Sequence, residues 1–394
     1  MAHPYVIIGA GIIGASIARE LASRGIETLV LDKEPEAGLH ASGRNSGVIH
    51  SGINHKAGSE KARFCLEGSR RLRAYCRANE VPMRECGKLV IAQTSEEVCQ
   101  LERLLNVGNE LGVPNLSILS RKEMITQEPV CTPSAHGALF SPTDAIVDSK
   151  KLLSAVIDEA KRHGARFSFN EGVDAIYDDD VITTRRLVPY RYLVNASGLG
   201  ADRLAHMRGF AEGFFIVPFK GSYWQINGLK LKTMIYPLPD PRFPFLGIHL
   251  TPTPDGLSMA GPNAALALGR EAYNGGANMR DIYDLVRRRG FWKMVMGRDF
   301  LAQATCNART TLFQSAFLNE VGGLINYTPQ KKDVEPYRAG IRAQLVDSQG
   351  EFVDDVKIYR GSREMHILNA TSPGMTTSLV FAEHIVETLL KEPG

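Results

Sequence analysis

Tyr5-Val-Ile-Ile-Gly-Ala-Gly-Ile-Ile-Gly14 is an apolar run that leads into a glycine-rich turn. The apolar spacing after it predicts a helix that ends near Gly25, and a second apolar run covers Thr28-Leu-Val-Leu31. Asp32 follows this run, eighteen residues after Gly14. This order of strand, turn, helix, strand and acid is typical of a βαβ unit that binds a dinucleotide.

Each part of the turn has a physical role in holding a dinucleotide. Gly9 permits a tight turn, Gly11 lets the backbone approach a pyrophosphate, and Gly14 lets the helix pack closely on the strand. The helix N-terminus faces the phosphates, because its N–H groups and its dipole favour anions. Asp32 is expected to accept hydrogen bonds from ribose hydroxyls.

The composition indicates a folded protein without a strong preference for nucleic acid. The chain has 394 residues, 44% of them hydrophobic, and a formal net charge of +3, which allows two or three units with their own cores. Its six cysteines include no CxxC pair, so we expect free thiols, a reducing compartment and no metal site. No apolar run is long enough to span a membrane, and the strand that begins at Tyr5 leaves no room for a signal peptide. We therefore expect a cytoplasmic protein, and peripheral contact with the inner membrane stays open.

Two further segments favour FAD over NAD. Ser42-Gly-Arg-Asn-Ser-Gly47 is a small-residue loop that lets the backbone approach a flat ring or a pyrophosphate. Val194-Asn-Ala-Ser-Gly198 ends a later strand with small residues, as expected where a second strand tip reaches the same extended cofactor. The predicted FAD contacts are Gly9, Gly11, Ile12, Ile13, Gly14, Asp32, Lys33, Ser42, Arg44, Asn45, Ser46, Val173, Ala196, Ser197, Gly198, Gly374, Met375, Thr376 and Thr377.

The remaining pattern predicts a discontinuous two-domain α/β protein. The predicted elements are a helix over 59–79, a strand at Lys88-Leu-Val-Ile91, a helix over 150–163, a strand at Tyr192-Leu-Val-Asn-Ala196, short antiparallel strands over 215–262, helices over 279–318, a strand at His366-Ile-Leu368 and a helix over 375–391. The short strands include Phe214-Phe-Ile-Val217, Tyr223-Trp-Gln-Ile226 and Phe245-Leu-Gly-Ile248. A doubly wound, Rossmann-like FAD-binding domain is assigned to 1–85, 148–213 and 330–394. An α+β substrate domain on an antiparallel sheet is assigned to 86–147 and 214–329.

Read with the turn before it, Gly43-Arg-Asn-Ser-Gly-Val-Ile-His-Ser-Gly52 resembles the L-2-hydroxyglutarate dehydrogenase/oxidase family, within the D-amino-acid-oxidase-like flavoprotein superfamily. The resemblance spans nearly the whole chain. It continues in Cys86-Gly-Lys-Leu89, Val217-Pro-Phe-Lys-Gly-Ser-Tyr223, Ile235-Tyr-Pro-Leu-Pro-Asp-Pro241, Phe243-Pro-Phe-Leu-Gly-Ile-His249, Gly261-Pro-Asn263, Ala339-Gly-Ile-Arg-Ala-Gln344 and Asn369-Ala-Thr-Ser-Pro-Gly-Met-Thr-Thr-Ser378.

The resemblance implies oxidation of L-2-hydroxyglutarate to 2-oxoglutarate with non-covalent FAD. It also implies that electrons pass to a quinone, an electron-transfer chain or oxygen. The chain departs from the family pattern at Lys220, where arginine is usual, and at Thr371, Gly374 and Met375 in the last motif. Residues 264–330 match the family pattern weakly.

Oxidation of a 2-hydroxy acid needs a base, a hydride acceptor and cations for the carboxylates. His50 and His249 lie in the matching motifs, and a neutral imidazole can accept the hydroxyl proton. Both have a structural alternative, and His249 could equally orient a carboxylate. Arg342, in a context of small and apolar residues, is the first candidate for binding a carboxylate, and Lys220 and Arg270 are weaker candidates.

Three further predictions concern hydroxyl groups, the last helix and rival functions. Tyr223 and Tyr236 are predicted substrate contacts, with simple packing as the alternative. If residues 372–377 begin the last helix, its positive end would face the flavin edge that becomes negative on reduction, whereas the alternative is an ordinary capped helix.

The rival enzyme is an FAD-dependent amine or amino-acid oxidase of the same fold. A flavin-binding assembly or tRNA-modification component without oxidase turnover of its own is a further alternative, which the absence of a strongly basic domain disfavours.

Overall fold

A computed structural model of the chain describes residues 3–53, 58–239 and 246–391, without the side chains of residues 299, 302, 303, 305 and 306. The strands, in chain order, are β1 Tyr5–Ile8, β2 Thr28–Leu31, β3 Val48–Ile49, β4 Met83–Glu85, β5 Lys88–Ala92, β6 Ser117–Ser120, β7 Gly137–Ser141, β8 Ala145–Val147, β9 Arg166–Ser168, β10 Val173–Ile176, β11 Asp180–Thr183, β12 Leu187–Pro189, β13 Tyr192–Asn195, β14 Phe214–Ile226, β15 Met234–Pro237, β16 His249–Pro252, β17 Ser258–Gly261, β18 Ala265–Leu266, β19 Val334–Asp347, β20 Lys357–Arg360 and β21 Glu364–Leu368.

The helices include every one that the sequence predicts and three that it does not. They are α1 Ile12–Ser23, α2 Glu60–Ala78, α3 Ser95–Glu110, α4 Arg121–Gln127, α5 Ser149–Arg162, α6 Ala201–Met207, α7 Met279–Val286, α8 Arg289–Met296, α9 Arg298–Leu312, α10 Gln314–Leu324 and α11 Gly374–Leu390. The unpredicted helices are α3, α4 and α6. On α3, Leu101 is the single large apolar side chain that is fully buried, so its apolar pattern is weak. Among the described helices, none combines the length and the apolar character needed to cross a membrane.

The first sheet confirms the Rossmann-like prediction. Its order is β20-β21-β13-β1-β2-β9, and all strands except the edge strand β20 are parallel. Helices α1, α5 and α11 share one hydrophobic core with one face of this sheet. The three-stranded sheet β10-β11-β12 packs on the opposite face. Strand β1 is buried throughout, as expected for a central strand covered on both faces.

The second sheet has nine strands and is mostly antiparallel. Its order is β18-β14-β17-β16-β15-β5-β7-β6, with β19 paired to β14. Two predicted short strands, Phe214–Val217 and Tyr223–Ile226, are the two ends of β14. Pro218 lies between them, but a proline removes only one N–H donor and its φ remains compatible with extended backbone. The third predicted strand begins at Phe245, outside the described residues, and β16 begins only at His249.

The chain crosses between the two sheets at positions that differ from the predicted domain boundaries. Strand β19 pairs with β14 from Val334 to Asp347, so it lies in the second sheet, whereas the prediction placed 330–394 with the first. The small sheet β3-β8-β4 also joins segments from both predicted domains. The small sheet β3-β8-β4 therefore connects the two units by paired strands.

Candidate active site

A single long cavity of about 1660 Å³ runs from the first sheet to the second. It begins at Asp32 and Val173, passes the β1–α1 turn, and reaches His249 and Arg342 on the second sheet. Pockets for small ligands usually measure about 300–1,000 Å³. The cavity therefore has room for an extended ligand and a second molecule at its far end.

The β1–α1 turn has the backbone that its glycines predict. Gly9 has a φ of +106°, and an added Cβ would lie 2.7 Å from the carbonyl oxygen of Ala196. An added Cβ at Gly14 would lie 1.9 Å from the carbonyl oxygen of Gly9, so helix α1 packs against the turn at a distance that only glycine allows. The Ala10 N–H donates to Asp32 Oδ2 at 2.7 Å, which ties the turn to the end of β2.

Two helix N-termini line the same cavity. Helix α1 begins at Ile12, whose N–H donates to Ser42 Oγ at 2.9 Å. Helix α11 begins at Gly374, and Gly374, Met375 and Thr376 line the cavity. Because a helix N-terminus carries a partial positive charge, these ends favour an anion or developing negative charge between them.

The loop after β2 is held by its own side chains. Asn45 Nδ2 donates to the Ser42 carbonyl at 2.8 Å, and the Gly47 N–H donates to Asn45 Oδ1 at 2.8 Å. The Arg44 guanidinium donates to the Leu39 carbonyl at 2.5 Å and lies 4.1 Å from the centre of the Tyr273 ring. These contacts place the loop as a wall of the cavity.

His249 is a buried imidazole with a fixed tautomer. Its Nδ1 lies 2.9 Å from the Gly247 carbonyl oxygen, so Nδ1 carries the proton and Nε2 is the acceptor. Nε2 is buried and has no hydrogen-bond partner among the described residues. The ring stacks on Tyr236 with centroids 3.9 Å apart, and burial lowers the pKa of His249 to about 4. The imidazole is therefore neutral at pH 7 and can accept one proton or one hydrogen bond.

His50 lies at the other side of this region, against the start of α11. Its backbone N–H donates to Thr376 Oγ1 at 3.1 Å, and its Nε2 is 3.5 Å from Ser372 Oγ. The half-buried ring lines the cavity. The structure thus brings both predicted histidines to one cavity, on elements from different sheets.

Two cations that line the cavity, Lys61 and Arg342, lie close enough to affect each other. Burial lowers the pKa of Arg342 to about 10, so its guanidinium stays charged at neutral pH. Burial also lowers the pKa of Lys61 to about 8, and the charge of Arg342 adds to that lowering. The Asp354 carboxylate acts against the lowering of the pKa of both cations, and the Asp355 carboxylate acts against that of Lys61. A bound anion would further relieve the repulsion between the two cations. Sequence reasoning missed Lys61, because a lysine in the first turn of a helix resembles a solvated residue.

A buried ion pair lies under the same region. Lys88 Nζ is 2.8 Å from Asp144 Oδ1, and their side chains are 1% and 0% exposed. The Ser51 N–H also donates to Asp144 Oδ1, at 3.0 Å. Burial by itself raises the pKa of Asp144, but the neighbouring Lys88 ammonium outweighs it, so the pKa lies below its usual value. Lys88 lines the cavity, and although it lies in the Cys86-Gly-Lys-Leu motif, sequence reasoning gave it no role.

The comparisons with known proteins agree with this geometry. The sequence matches the family described as FAD dependent oxidoreductase over residues 4–388. The chain belongs to this family. It is 33% identical to the L-2-hydroxyglutarate dehydrogenase of Escherichia coli (strain K12), with 98% of this chain and 94% of that protein covered. The mitochondrial L-2-hydroxyglutarate dehydrogenase of Homo sapiens is 32% identical, with 97% and 87% covered. These relatives confirm the resemblance predicted from the motifs.

Solved structures of other flavoenzymes share the fold. The L-alpha-glycerophosphate oxidase from Mycoplasma pneumoniae aligns with a TM-score of 0.77 at 20% identity, covering 99% of this chain and 95% of that one. The glycine oxidase from Geobacillus kaustophilus aligns with a TM-score of 0.75 at 19% identity, covering 100% and 96%. The chain is therefore an FAD-dependent oxidoreductase with a fold that serves several substrates.

The residues present fit FAD. The turn, both helix N-termini and the loop after β2 line one cavity whose volume is large enough for a dinucleotide. Most of the predicted FAD contacts line this cavity, namely Gly9, Gly11, Ile12, Ile13, Asp32, Lys33, Ser42, Arg44, Asn45, Ser46, Val173, Ala196, Ser197, Gly198, Gly374, Met375 and Thr376.

Four predicted residues have other positions or partners. Gly14 packs against Gly9 instead of lining the cavity. Thr377 lies one residue past the part of α11 that lines the cavity, and its hydroxyl is 3.3 Å from the Gly374 carbonyl oxygen. Lys220 does not line the cavity, whereas Phe219 and Gly221 do, because successive side chains of a strand point to opposite faces. Arg270 lines the cavity but is buried in an ion pair with Asp202, which indicates a structural role.

Tyr223 and Tyr236 both line the cavity from the second sheet. Burial raises the pKa of Tyr223 to about 12, against a smaller opposing effect of its hydrogen bond with Ser46. Burial also raises the pKa of Tyr236 well above its usual value. Both hydroxyls therefore stay protonated at neutral pH and can donate hydrogen bonds.

Proposed function

We propose that the chain oxidises L-2-hydroxyglutarate to 2-oxoglutarate. One observation carries the proposal: one cavity joins a dinucleotide-binding turn to the neutral His249, whose Nε2 has no hydrogen-bond partner among the described residues, and to the cations of Lys61 and Arg342. A base together with two cations suits a substrate that has one hydroxyl and two carboxylates. The relatives named L-2-hydroxyglutarate dehydrogenase support this choice of substrate.

The side chains have two functions in the reaction, substrate binding and proton transfer. Arg342 and Lys61 bind the two carboxylates, and charge-assisted bonds of this kind contribute roughly 1.5–3 kcal/mol each. The Nε2 of His249 accepts the hydroxyl proton, while the bond from Nδ1–H to the Gly247 carbonyl holds the required tautomer. When bound, FAD supplies the hydride acceptor, N5, for the hydrogen on C2. Loss of one proton and one hydride converts the alcohol to the ketone.

His249 is a better candidate base than His50 on this geometry. A buried acceptor without a partner costs about 1–3 kcal/mol, which is reasonable at a site that a substrate hydroxyl fills. The ring of His50 lies beside Ser372 at the start of α11. We therefore assign His50 to orienting the substrate at the cofactor end of the cavity.

Anaerobic mixing of the FAD-loaded protein with candidate substrates tests the proposal. Bleaching of the flavin absorbance by L-2-hydroxyglutarate, with no bleaching by its D-isomer, is the expected result. Glycine, sarcosine and D-amino acids serve as controls, because an amine or amino-acid oxidase is the rival function on this fold. Bleaching by an amino acid but not by the hydroxy diacid would replace the proposed substrate.

The proposed electron acceptor is a quinone or an electron-transfer chain, with oxygen as the alternative. A quinone dissolved in a membrane requires a protein in the cytoplasm to contact that membrane peripherally. Reoxidation of the substrate-reduced protein by a soluble quinone, compared with reoxidation by dissolved oxygen, distinguishes the acceptors. Faster reoxidation by oxygen would favour an oxidase.

A further inference from the structure

The outer side of α7, α8 and the start of α9 exposes large apolar side chains. They are Met279, Tyr283, Val286, Trp292, Met296 and Leu301. On α7 they recur at intervals of four and three residues, and on α8 at an interval of four, which puts each set on one helical face. Met279 is 74% exposed, Tyr283 64% and Met296 66%. Apolar side chains gain free energy when they are removed from water, and these exposed side chains do not gain it within the chain.

These side chains form one surface, which we call the α7–α9 surface. The indole N–H of Trp292 donates to the Val286 carbonyl at 2.7 Å, so the exposed ring on α8 lies against the end of α7. Helix α8 also packs against α9, and Leu301 follows Met296 by five residues. Contiguous exposed apolar surface of this kind marks a site of interaction with a protein or a membrane.

Basic side chains accompany the apolar ones. The exposed cations are Arg280, Arg287, Arg289, Lys293 and Arg298. Residues 279–301 contain six Arg or Lys and three Asp, an excess of three positive charges, which equals the formal net charge of the whole chain. Asp281 and Asp284 form ion pairs with Arg203, outside this segment, and Asp284 also pairs with Arg287. The segment therefore keeps its excess of three positive charges, and Arg203 adds a further cation beside it.

Apolar and aromatic anchors beside arginine and lysine favour a bilayer surface over another protein. Helices that lie in a membrane interface combine Trp, Met or Leu on one side with Lys or Arg beside them. Each cation near an anionic leaflet adds about fivefold to the partition coefficient, which corresponds to about 1 kcal/mol. We propose that the α7–α9 surface docks on a bilayer that contains anionic lipid.

The position of this surface relates it to the cavity. Asn278 and Arg280, on either side of Met279, line the cavity. A bilayer docked on the α7–α9 surface would therefore lie beside the cavity. Docking does not depend on which substrate the enzyme oxidises, so the docking proposal stands even if the proposed substrate is wrong.

Cosedimentation of the FAD-loaded full chain with vesicles tests the proposal. The protein should sediment with vesicles of phosphatidylcholine that contain about a third phosphatidylglycerol. Vesicles of pure phosphatidylcholine should bind less than about a tenth as much protein. Added salt should release the protein from the anionic vesicles. Met279→Glu with Met296→Glu should lower the partition coefficient at least about tenfold. Arg289→Gln with Arg298→Gln should lower it about 25-fold.

A matched control distinguishes docking from nonspecific hydrophobic binding and from misfolding. Leu187→Glu removes a leucine that is 58% exposed on β12, away from this surface in sequence, and it should sediment like the unchanged protein. All variants should keep their flavin content and circular dichroism. No binding to the anionic vesicles, or equal binding by the Met279/Met296 double variant, would overturn the proposal. A dimer in sedimentation velocity that the same double variant dissociates, without vesicle binding, would assign the surface to a second copy of the chain.

Discussion

At the scale of single residues, His249 combines a fixed tautomer with a buried acceptor, and both features can be tested by removing the ring. His249→Ala should slow the reduction of the bound flavin by L-2-hydroxyglutarate about 10²–10⁴-fold, because a positioned base contributes that factor. The FAD content should not change, since the ring lies at the substrate end of the cavity. Anaerobic rapid mixing measures the rate. A larger loss in His50→Ala than in His249→Ala would reverse the two assigned roles.

The pKa of Lys61 predicts the alkaline limb of the pH profile. Lys61 binds an anion only when it is protonated, and its pKa is about 8. The value of kcat/KM should therefore be at its maximum below pH 8 and should fall as pH rises through that value. Arg342, with a pKa of about 10, stays charged over this range. On the acid side, kcat/KM should fall as His249 gains a proton near its pKa of about 4.

Substitution of this lysine should remove the alkaline limb. Lys61→Met should have a lower kcat/KM for L-2-hydroxyglutarate at pH 7 and no fall near pH 8. Lys33→Met is the control, because Lys33 lines the cavity beside Asp32, and its ion pairs with Glu34 and Glu271 raise its pKa. That variant should keep the limb. If Lys61→Met also keeps it, another group titrates there.

The Lys88–Asp144 pair predicts a stability effect that is separate from substrate binding. Lys88→Met leaves a buried carboxylate that keeps hydrogen bonds with the Ser51 N–H and the Ser141 side chain but loses its counter-ion. Removing one partner of a buried pair typically lowers the free energy of unfolding by about 3–5 kcal/mol. Denaturation in urea measures the loss. The double variant Lys88→Met with Asp144→Asn should recover part of it, and a double variant that is less stable than Lys88→Met would contradict this account.

At the scale of elements, the β1–α1 turn predicts the effect of a single methyl group. A Cβ at position 14 would lie 1.9 Å from the Gly9 carbonyl oxygen, so Gly14→Ala must push the helix away from the turn. Overpacking of this kind lowers the free energy of unfolding by roughly 1–3 kcal/mol, and the displaced helix end should also weaken FAD binding. Titration of the apoprotein with FAD measures this. Gly213→Ala, where the added Cβ meets no atom within 4 Å, should bind FAD normally.

The turn could be predicted because its signal is local, whereas the substrate end of the site could not be predicted as a whole. Gly9, Gly14 and Asp32 follow a spacing that one βαβ unit imposes. Lys61 and Lys88 come from a helix and a strand that carry no common motif, and the cavity that both line is formed by packing between the two sheets. Strand β19 was assigned to the first domain, because its pairing partner β14 lies more than a hundred residues earlier. Pairing between distant strands leaves little trace in a single sequence.

At the scale of the whole molecule, the cavity exists only because the two units are held together. Its walls alternate between turns of the first sheet and strands of the second, and the small sheet β3-β8-β4 bridges them. A cofactor in this cavity contacts both units, so its binding free energy stabilises both at once. At a hundred times its Kd, a ligand adds about 2.7 kcal/mol to the free energy of unfolding.

The two tryptophans allow this coupling to be measured directly. Trp224 on β14 and Trp292 on α8 both belong to the second unit, whereas the turn that binds the dinucleotide belongs to the first. If the units unfold together, the loss of native tryptophan fluorescence and the release of flavin should occur at one temperature, and excess FAD should raise both equally. Separate units would release flavin at a lower temperature while the tryptophan signal stayed native. Simultaneous recording of both signals in one thermal scan distinguishes these outcomes, because interleaved strands and a shared cavity permit only the first.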